Sequence, residues 1–335
     1  MTDKLESFRV FNANGGKFRL AIINACNLDC FFCHNEAMDN PRAPGARRVR
    51  DVLTTDDLIA IANAWARLGG DQINITGGEP MAHPDLVAIL NAIDKRASRI
   101  ALNSNAILAP RLVRHPRVEA IDVILASLHT LDDDTFRDKL GGRAVSDVTE
   151  GILALASHGY RVEINYSLGP ANRDHFDDIV GFALANDLDL KAIALVRSDE
   201  RAAFYGGDWV DPAWLTARLA AHGAVEQSTR DAFGGRRTVY RAAGASRAIK
   251  IEVKNVAAGR LVTEFCRGCL HQRNCGEGIY GLRLGVDALI KPCLLRRDRY
   301  RTLDPRADLE TQLLDTVHAM VGDWSTARFT TGAPC

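Results

Sequence analysis

The sequence lacks the apolar runs of a membrane protein and the leader of a secreted one. No stretch of its 335 residues approaches the roughly 18 consecutive apolar residues that a membrane span needs. The amino terminus, MTDKLESFRV, has neither the apolar core nor the small-residue cleavage site of a secretory signal. We therefore expect a cytoplasmic protein with reduced cysteines and no membrane partner.

The chain also lacks an excess of charge of either sign. Lys plus Arg and Asp plus Glu both number 42, so the strongly basic field of a general nucleic-acid-binding protein is absent. No nucleic-acid partner is expected, and the substrate is expected to be a small molecule or a peptide. No repeat of solenoid period and no low-complexity tract is visible.

Cysteine is absent from the long middle of the chain, between residues 33 and 266. The eight cysteines stand at positions 26, 30, 33, 266, 269, 275, 293 and 335. This partition indicates two separate sites, one near each end of the chain. The terminal Cys335 is expected to be a free thiol.

Short apolar or β-branched runs alternate with segments of helical period from about residue 17 to 197, as in repeated βα units around a parallel sheet. Six strands are predicted: Arg19–Asn24, Gln72–Thr76, Arg99–Asn103, Ala120–Ser127, Arg161–Ser167 and Leu190–Val196. The intervening segments, such as the one that starts at Thr54 and carries Leu58, Ile61 and Trp65, are predicted to be core-facing helices.

The βα rhythm fades after about residue 225, before a segment rich in Cys and Gly. Residues Asp308–Val321 are predicted to form one amphipathic helix, and the TTGAPC terminus a mobile tail. The expected fold class is α/β, with a partial (β/α)6 TIM-like barrel over residues 1–225 and a small C-terminal domain over residues 226–335.

Three cysteines lie within eight residues directly after the first predicted strand, as Cys26-Asn-Leu-Asp-Cys30-Phe-Phe-Cys33. A loop at a strand end can turn three thiolates toward one site. Three thiolates do not complete a structural zinc site, whereas a [4Fe-4S] cluster on three cysteines keeps one iron open to a small molecule. The alternatives are buried structural cysteines, or a zinc site completed by His34.

This segment, CNLDCFFC, resembles the CxxxCxxC motif of radical S-adenosylmethionine (SAM) enzymes, and the resemblance covers the whole predicted barrel. It implies a SAM-binding [4Fe-4S] cluster on Cys26, Cys30 and Cys33. In such enzymes one electron from the cluster cleaves SAM, and the resulting 5′-deoxyadenosyl radical removes a hydrogen atom from the substrate. A flavodoxin- or ferredoxin-type protein is the expected reductant.

The resemblance also implies which residues bind SAM. The turn Gly77-Gly78-Glu79-Pro80 is similar to the family's GGEP motif, which holds the SAM amino group, and glycine lets a backbone approach a ligand closely. Phe32 stands where the family has an aromatic residue that packs on adenine. Polar residues at predicted strand ends match positions that contact SAM or substrate: Asn103, Asn105, Ser127 and Asn165.

The four cysteines Cys266, Cys269, Cys275 and Cys293 predict a second metal site. Their spacing suits either tetrahedral zinc or an auxiliary [4Fe-4S] cluster, and spacing alone does not separate them. The segment FCRGC followed by LRLGVDALIKPCL resembles the auxiliary-cluster region of GTP 3′,8-cyclases, the radical SAM enzymes of molybdenum cofactor synthesis, which favours iron–sulfur. The cyclases use three cysteines there, so Cys275 is additional. Four ligands would close the cluster, and three would leave an iron open.

The resemblance to the cyclases extends to only some of their GTP-binding residues. Arg19 matches one arginine, and Arg283 matches one member of an Arg-x-Arg pair. Gln72 and Asn74 stand where the cyclases have basic residues, and Glu163 replaces a lysine. A triphosphate needs several Arg or Lys donors, so we predict that GTP is not the substrate.

Two candidate substrate-contacting residues are Arg19 and Glu163. Glu163 is expected at the top of the barrel beside Asn165, where it could bind a cationic or hydroxyl group. Two arginine groups could grip an anionic substrate but are expected to be solvated surface: Arg47, Arg48 and Arg50, and Arg296, Arg297 and Arg299.

Three functions stay open. The leading hypothesis is hydrogen abstraction from a small nucleoside-like or sugar-like metabolite, or from a peptide, in a specialised biosynthetic pathway. The second is a divergent GTP 3′,8-cyclase. The third is a non-catalytic iron–sulfur electron carrier, which would hold clusters without cleaving SAM.

Overall fold

A computed structural model describes residues 2–33, 52–95, 98–169, 172–194, 212–232, 235–255, 259–270, 272, 275 and 278–330. The strands within these ranges are β1 Lys17–Ala21, β2 Gln72–Thr76, β3 Arg99–Ser104, β4 Ile121–Ser127, β5 Val162–Leu168, β6 Asp189–Ala194, β7 Val225–Ala232, β8 Gly235–Ala243, β9 Ala248–Asn255, β10 Arg260–Val262, β11 Gly281–Leu284, β12 Leu289–Lys291, β13 Arg301–Thr302 and β14 Arg328–Thr330. The helices are α1 Thr2–Ala13, α2 Thr55–Arg67, α3 Leu86–Ala92, α4 Ala109–Val113, α5 Asp133–Thr135, α6 Ser146–Ser157, α7 Phe176–Ala185, α8 Pro212–Ala221 and α9 Leu309–Val321.

Strands β1 to β6 lie side by side in chain order, and each neighbouring pair is parallel. The predicted α/β class and its six strands are confirmed. The first strand ends three residues earlier than predicted, because the chain turns after Ile22, whose N–H donates to Thr76 O at 2.9 Å, to pass the end of β2.

Side chains alternate along these strands between a helix-facing layer and an inner face. Phe18 on β1 is fully buried and stacks on Trp65 of α2 with ring centroids 5.0 Å apart. Thr54 begins α2 with a reciprocal capping box to Asp57, as its sequence predicted. Arg19, the next residue along β1 after Phe18, points to the inner face, so that the polar residues of the strands gather inside the barrel.

The sheet continues beyond both edges of this parallel core. Its full order is β13-β12-β11-β1-β2-β3-β4-β5-β6-β9-β8-β7, with β9 parallel to β6 and β11 parallel to β1. Strands β9 and β11, which extend the parallel core on its two sides, approach each other. Lys254 Nζ on β9 lies 4.2 Å from the ring centroid of Tyr280, which precedes β11. The sheet therefore curls toward a closed barrel. The predicted division at residues 225 and 226 falls at the start of β7 and stays a prediction.

Helix α9 confirms the amphipathic helix predicted from Asp308. The Asp308 carboxylate accepts hydrogen bonds from the N–H groups of Glu310 and Thr311, which begins the helix. His318 on its inner side hydrogen-bonds Ser7 of α1 at 2.9 Å. None of the helices in the described ranges is both long enough and apolar enough to cross a membrane.

Candidate active site

The loop after β1 carries Cys26, Cys30 and Cys33. The Cys33 N–H donates to Cys30 O at 3.1 Å, and the Leu28 N–H donates to Cys26 Sγ at 3.4 Å. The Cys26 thiol is open to solvent on one side, but desolvation on its packed side raises its pKa to about 11, with further contributions from Glu79 and Cys33. Such a thiol keeps its proton near neutral pH, so binding of a metal at Cys26 would release that proton.

The turn that follows α5 fastens the cysteine loop in place. The Asp29 N–H donates to Leu140 O at 2.8 Å, and the Phe31 N–H donates to Lys139 O at 2.9 Å. Gly141 lies against the same point with φ +72°, and a Cβ there would come 2.9 Å from the Asp29 Cβ. Glycine is required by both its backbone conformation and this contact.

The GGEP turn packs directly on the backbone that leads into the cysteine loop. The Gly78 N–H donates to Ile23 O at 2.7 Å, and the Glu79 N–H donates to Ala25 O at 2.9 Å. A Cβ on Gly77 would collide with Ile23 O, and a Cβ on Gly78 with Ala25 O. The close approach that requires these glycines is therefore to the cysteine loop itself.

Glu79 is buried and joins the ends of two strands. Its carboxylate accepts hydrogen bonds from Met81 N at 2.9 Å, Ser104 Oγ at 2.7 Å and Asn105 N at 2.7 Å. Burial raises the pKa of Glu79, and these donors oppose that shift. The Asn105 side chain extends the link by donating to Asn27 Oδ1 at 2.7 Å in the cysteine loop. Glu79 and Asn105 thus position the loop.

Phe32 is held by a buried histidine that the sequence analysis did not single out. The ring of His129 contacts Phe32 edge-on, with centroids 4.7 Å apart, and the Phe31 ring also contacts Phe32 edge-on, with centroids 4.9 Å apart. Burial lowers the pKa of His129 to about 3, so the imidazole is neutral. Its Nδ1 accepts a hydrogen bond from Ser167 N at 3.1 Å. The only sequence signal was its place two residues after β4.

The inner face of β2 and β3 carries a chain of amides. Two of them, Gln72 and Asn74, stand where the cyclases that this sequence resembles have basic residues. Gln72 Nε2 donates to Asn74 Oδ1 at 2.8 Å, and Asn74 Nδ2 donates to Asn103 Oδ1 at 3.3 Å. Asn74 and Arg19 are register partners across β1 and β2. On β2 and β3 this wall is lined by neutral amides, which lie beside Arg19 of β1.

The other predicted strand-end residues lie on neighbouring strands. Ser127 ends β4 and is the register partner of Asn165, which lies in the middle of β5 rather than at its end. Asn24, between β1 and the cysteines, has a buried Oδ1 without a hydrogen-bond partner among the described residues. An unpaired buried carbonyl oxygen beside the cysteine loop is the kind of acceptor that a ligand satisfies.

The expected position of Glu163 was wrong. It is the second residue of β5, near the amino end of the strand, whereas the cysteine and GGEP loops follow the carboxyl ends. Its carboxylate lies 3.1 Å from Lys250 Nζ and 3.9 Å from the Arg161 guanidinium. Lys250 belongs to β9, which sequence analysis did not place beside β5 and β6. Glu163 therefore sits below Asn165 in an ion pair.

Several cations that the sequence analysis did not single out face the interior from β6, β8 and β9. Glu252 on β9 accepts a hydrogen bond from Arg237 on β8, and Lys191 Nζ on β6 lies 4.0 Å away. Burial, with a smaller contribution from Arg237, lowers the pKa of Lys191 to about 8, against the opposing effect of Glu252. Burial alone would raise the pKa of Glu252, but Lys191 and Arg237 lower it to about 2.

All four C-terminal cysteines line one cavity: Cys266, Cys269, Cys275 and Cys293. The Cys269 N–H donates to Cys266 O at 3.2 Å, and burial raises the pKa of Cys266, with Cys275 and Cys269 adding to the shift. Across the described ranges, no three His, Cys, Asp or Glu side chains meet closely enough for a single metal ion. A cubane cluster binds its cysteines at separate corners, so four thiols around one cavity suit such a cluster.

Arg296 borders this cavity and is buried, so its expected role as solvated surface was wrong. Its guanidinium donates to Phe265 O at 2.8 Å and to both carboxylate oxygens of Asp298 at 2.8 and 2.7 Å. Arg260 lines the same cavity and is also buried. By contrast, Arg297 and Arg299 are exposed. The predictions for Arg47, Arg48, Arg50, His34 and Cys335 concern positions outside the described residues.

Comparison with known proteins identifies the domain formed by these loops. Residues 20–183 match the model of the Radical SAM superfamily. A Sulfurisphaera tokodaii protein named "Probable GTP 3',8-cyclase" is 26% identical over 286 residues, which cover 84% of this chain and 82% of that protein. A Methanocella arvoryzae protein of the same name is 28% identical over 307 residues, covering 90% and 89%.

Solved structures share the fold at lower identity. Streptococcus suis SuiB bound to precursor peptide SuiA matches with a TM-score of 0.59 over 94% of this chain and 68% of that one, at 15% identity. Native anSMEcpe with bound AdoMet matches with a TM-score of 0.54 over 92% and 82%, at 12% identity. These structures support the fold alone. The family match over residues 20–183 and the relatives named GTP 3',8-cyclase, rather than these structures, indicate a radical SAM enzyme that uses SAM and a [4Fe-4S] cluster.

Proposed function

We propose that this enzyme removes a hydrogen atom from a small, polar, nucleotide-like molecule held inside the barrel. The observation that carries the proposal is the polar inner face, which lies directly beneath the loop of Cys26, Cys30 and Cys33 and the GGEP turn. Parallel-barrel enzymes place their chemistry at the carboxyl ends of the strands, where these loops meet.

Three cysteines would hold the SAM-binding cluster: Cys26, Cys30 and Cys33. Phe32 would offer its ring to adenine, with the neutral His129 fixing the ring's orientation at 4.7 Å. The GGEP backbone, positioned by Glu79, would line the place of the SAM amino group. When bound there, the cluster and SAM supply a 5′-deoxyadenosyl radical that takes a hydrogen atom from the substrate. Asn103, Ser127 and Asn165 would orient the reacting molecules.

A GTP 3′,8-cyclase is the more specific candidate, and the comparisons favour it over the other named alternatives. Curated relatives of that name cover 84 to 90% of this chain at 26 to 28% identity. Arg19 and Arg283 support it, because both match arginines of the cyclases and they are register partners on the neighbouring strands β1 and β11. Gln72, Asn74 and Glu163 weaken it, because neutral amides and a paired carboxylate stand where the cyclases have cations.

The second cysteine site also bears on whether the enzyme is a cyclase, because the cyclases use three cysteines there and this chain offers four. Four cysteines around one cavity support an auxiliary cluster without an open iron, which would serve electron transfer or substrate positioning rather than direct substrate ligation. A peptide substrate has weaker support, since SuiB shares only the fold. A non-catalytic electron carrier would have no use for the GGEP turn and the aromatic pair beside the first cysteines.

The test is anaerobic and uses the reconstituted full chain. Iron and sulfide are counted, and 5′-deoxyadenosine is followed with dithionite, SAM and, in parallel, GTP, other nucleotides and their nucleosides. We expect about eight irons and substrate-stimulated SAM cleavage. GTP-dependent cleavage with a cyclised product would establish the cyclase. The absence of SAM cleavage in every reaction would overturn the proposal in favour of an electron carrier.

A further inference from the structure

A surface cleft adjoins the cavity of the second cysteine site. Phe265 lines both of them, and the guanidinium carbon of Arg296, which borders the cysteine cavity, lies 5.5 Å from the centroid of the Phe265 ring. Pro292 also lines the cleft. Phe265 directly precedes Cys266 in the chain, and Pro292 directly precedes Cys293. Two residues of the cleft wall are therefore covalent neighbours of cysteines in the cavity behind it.

Arginines line this cleft from two segments of the chain. Arg267 follows Cys266, whereas Arg299 and Arg301 come from β13 and the turn before it. All three are exposed. Among the described residues, Glu264 is the one carboxylate that lines the cleft, and it pairs with Arg267 at 2.9 Å. The rim of the cleft is therefore positively charged, although the whole chain has no formal net charge.

The ion pairs around the rim leave much of this charge available. The Asp298 carboxylate lies 3.4 Å from Arg299, but it also accepts two hydrogen bonds from Arg296, at 2.8 and 2.7 Å. Within the ranges that the structure describes, Arg301 has no ion pair. Exposed ion pairs contribute little free energy and are screened by salt. An incoming carboxylate can therefore replace the partners of these arginines at little cost.

A positive rim beside a cysteine site suits an acidic protein surface. Complementary charge steers two proteins together and raises their rate of association. Redox partners typically meet through small and transient interfaces, for which a few exposed arginines are enough. A small anionic ligand is less favoured, because sites for such ligands use precisely placed polar groups in a largely buried pocket, and the arginines here are exposed.

We propose that the cleft docks a small acidic electron-carrier protein, which passes one electron to the auxiliary cluster through the wall formed by Phe265. In that step the flavin hydroquinone of a flavodoxin-type carrier loses one electron and becomes a semiquinone. The auxiliary [4Fe-4S] cluster gains that electron and goes from its 2+ to its 1+ state, and no bond forms or breaks. This entry point for electrons goes beyond the proposed function, since it does not depend on which substrate the barrel holds.

The experiment uses the reconstituted full chain in which three residues are changed to alanine, so that the auxiliary cluster alone is observed: Cys26, Cys30 and Cys33. Stopped-flow absorbance at low ionic strength follows reduction of that cluster by the hydroquinone of an acidic flavodoxin. Arg301→Glu reverses an exposed charge of the rim. Arg306→Glu is the matched control, because Arg306 is exposed in the same segment and does not line the cleft. We expect Arg301→Glu to slow reduction by about fivefold or more and Arg306→Glu to leave it within about twofold.

Dithionite reduction of the same cluster is the internal reference, because a small reductant needs no docking surface. Both variants should keep that rate within about twofold, with circular dichroism verifying the fold. Equal slowing by both variants, an unchanged flavodoxin rate in Arg301→Glu, or zinc in place of iron at the second site would overturn the docking assignment. Binding of a polyglutamate peptide that depends on Arg301, without any effect of Arg301→Glu on reduction by flavodoxin, would assign the cleft to a peptide instead.

The proposed function is tested separately from the docking site. SAM cleavage by the chain with all its cysteines is driven by dithionite, which bypasses any carrier protein. Loss of SAM cleavage on every substrate, with the flavodoxin rates as expected, would overturn the proposed function and leave the docking site standing. Normal SAM cleavage without an effect of Arg301→Glu on reduction would do the reverse.

Discussion

Two regions of this barrel are held together by different chemistry. Around the first cysteine loop, the contacts are backbone hydrogen bonds, amides such as Asn105 and Asn27, and the neutral His129. Toward β6–β9 and the second cysteine site, buried guanidinium and ammonium groups take over, including Arg237 and Arg296. A neutral setting suits a loop that must admit and release a ligand, whereas a cationic setting stabilises negative charge that stays.

The largest effect is expected in the neutral region around the first cysteine loop. Cys30→Ala removes one of three ligands of the SAM-binding cluster, so 5′-deoxyadenosine formation with dithionite should fall to background. Cys269→Ala is the matched control in the second site, and it should retain cleavage of SAM in the absence of substrate. If both variants lose that cleavage alike, the two sites are not separable and the comparison fails.

Cys275→Ala tests whether the second site is closed. Loss of a fourth ligand should leave the iron content near that of the unaltered chain but change the electron paramagnetic resonance spectrum of the auxiliary cluster. Added small ligands such as azide should then alter that spectrum. A spectrum identical to that of the unaltered chain, before and after azide, would mean that Cys275 is not a ligand.

Arg296→Met tests whether the positive charge near the second cysteine site acts on that site alone. Removing a buried cation beside Cys266 and Cys269 destabilises the reduced, more negative cluster, so the reduction potential of the auxiliary cluster should fall by about 60 mV, one tenfold change for a one-electron couple. The potential of the first cluster should not move. Arg301→Met, an exposed arginine on β13, is the control. Equal shifts in both variants would indicate a general field rather than a local contact.

The smallest expected effect concerns stability and pH at Lys191. Its pKa is lowered from 10.5 to about 8 by burial and by Arg237 and Arg19, with Glu252 and Glu163 opposing. A lysine with a lowered pKa destabilises the fold while it is protonated, by up to about 3 kcal/mol, and this cost disappears as pH rises from 8 to 10.5.

Lys191→Met should therefore melt a few degrees higher than the unaltered chain at pH 7, and the gain should vanish by about pH 10.5. Thermal unfolding followed by circular dichroism at both pH values checks this. A variant that is less stable at pH 7 would show that the Glu252 contact outweighs the burial of charge.

Local sequence patterns predicted the parallel core well. The strand Gln72–Thr76 was predicted to the residue, because its alternating isoleucines are bounded by Asp71 and the glycines of GGEP. The motif around Cys26 and the motif around Gly77 are each contiguous in sequence, so each can be recognised from the spacing of its residues alone. The gathering of four distant cysteines at one cavity was predicted from the same kind of count.

The interior cations of β6, β8 and β9 could not be predicted in this way. Lys191, Arg237 and Lys254 are unremarkable alternate residues of their strands, and only the parallel pairing of β9 with β6 turns them to one interior. Glu163 was misplaced for the same reason, since its partner Lys250 is contributed by β9. Arg296 lies in a run of arginines typical of surface, and its burial depends on Phe265 from a distant segment.

The pairing of β1 with β11 has a consequence for how the chain is made. Lys17 is the register partner of Gly281, so this edge of the first strand stays unpaired until residues near 281 have left the ribosome. At typical rates of synthesis the delay is roughly ten to fifty seconds. During that interval the strand offers an open edge and the cysteine loop next to it has only part of its final surroundings. Cluster insertion into the nascent chain would meet a more accessible loop than insertion into the finished fold.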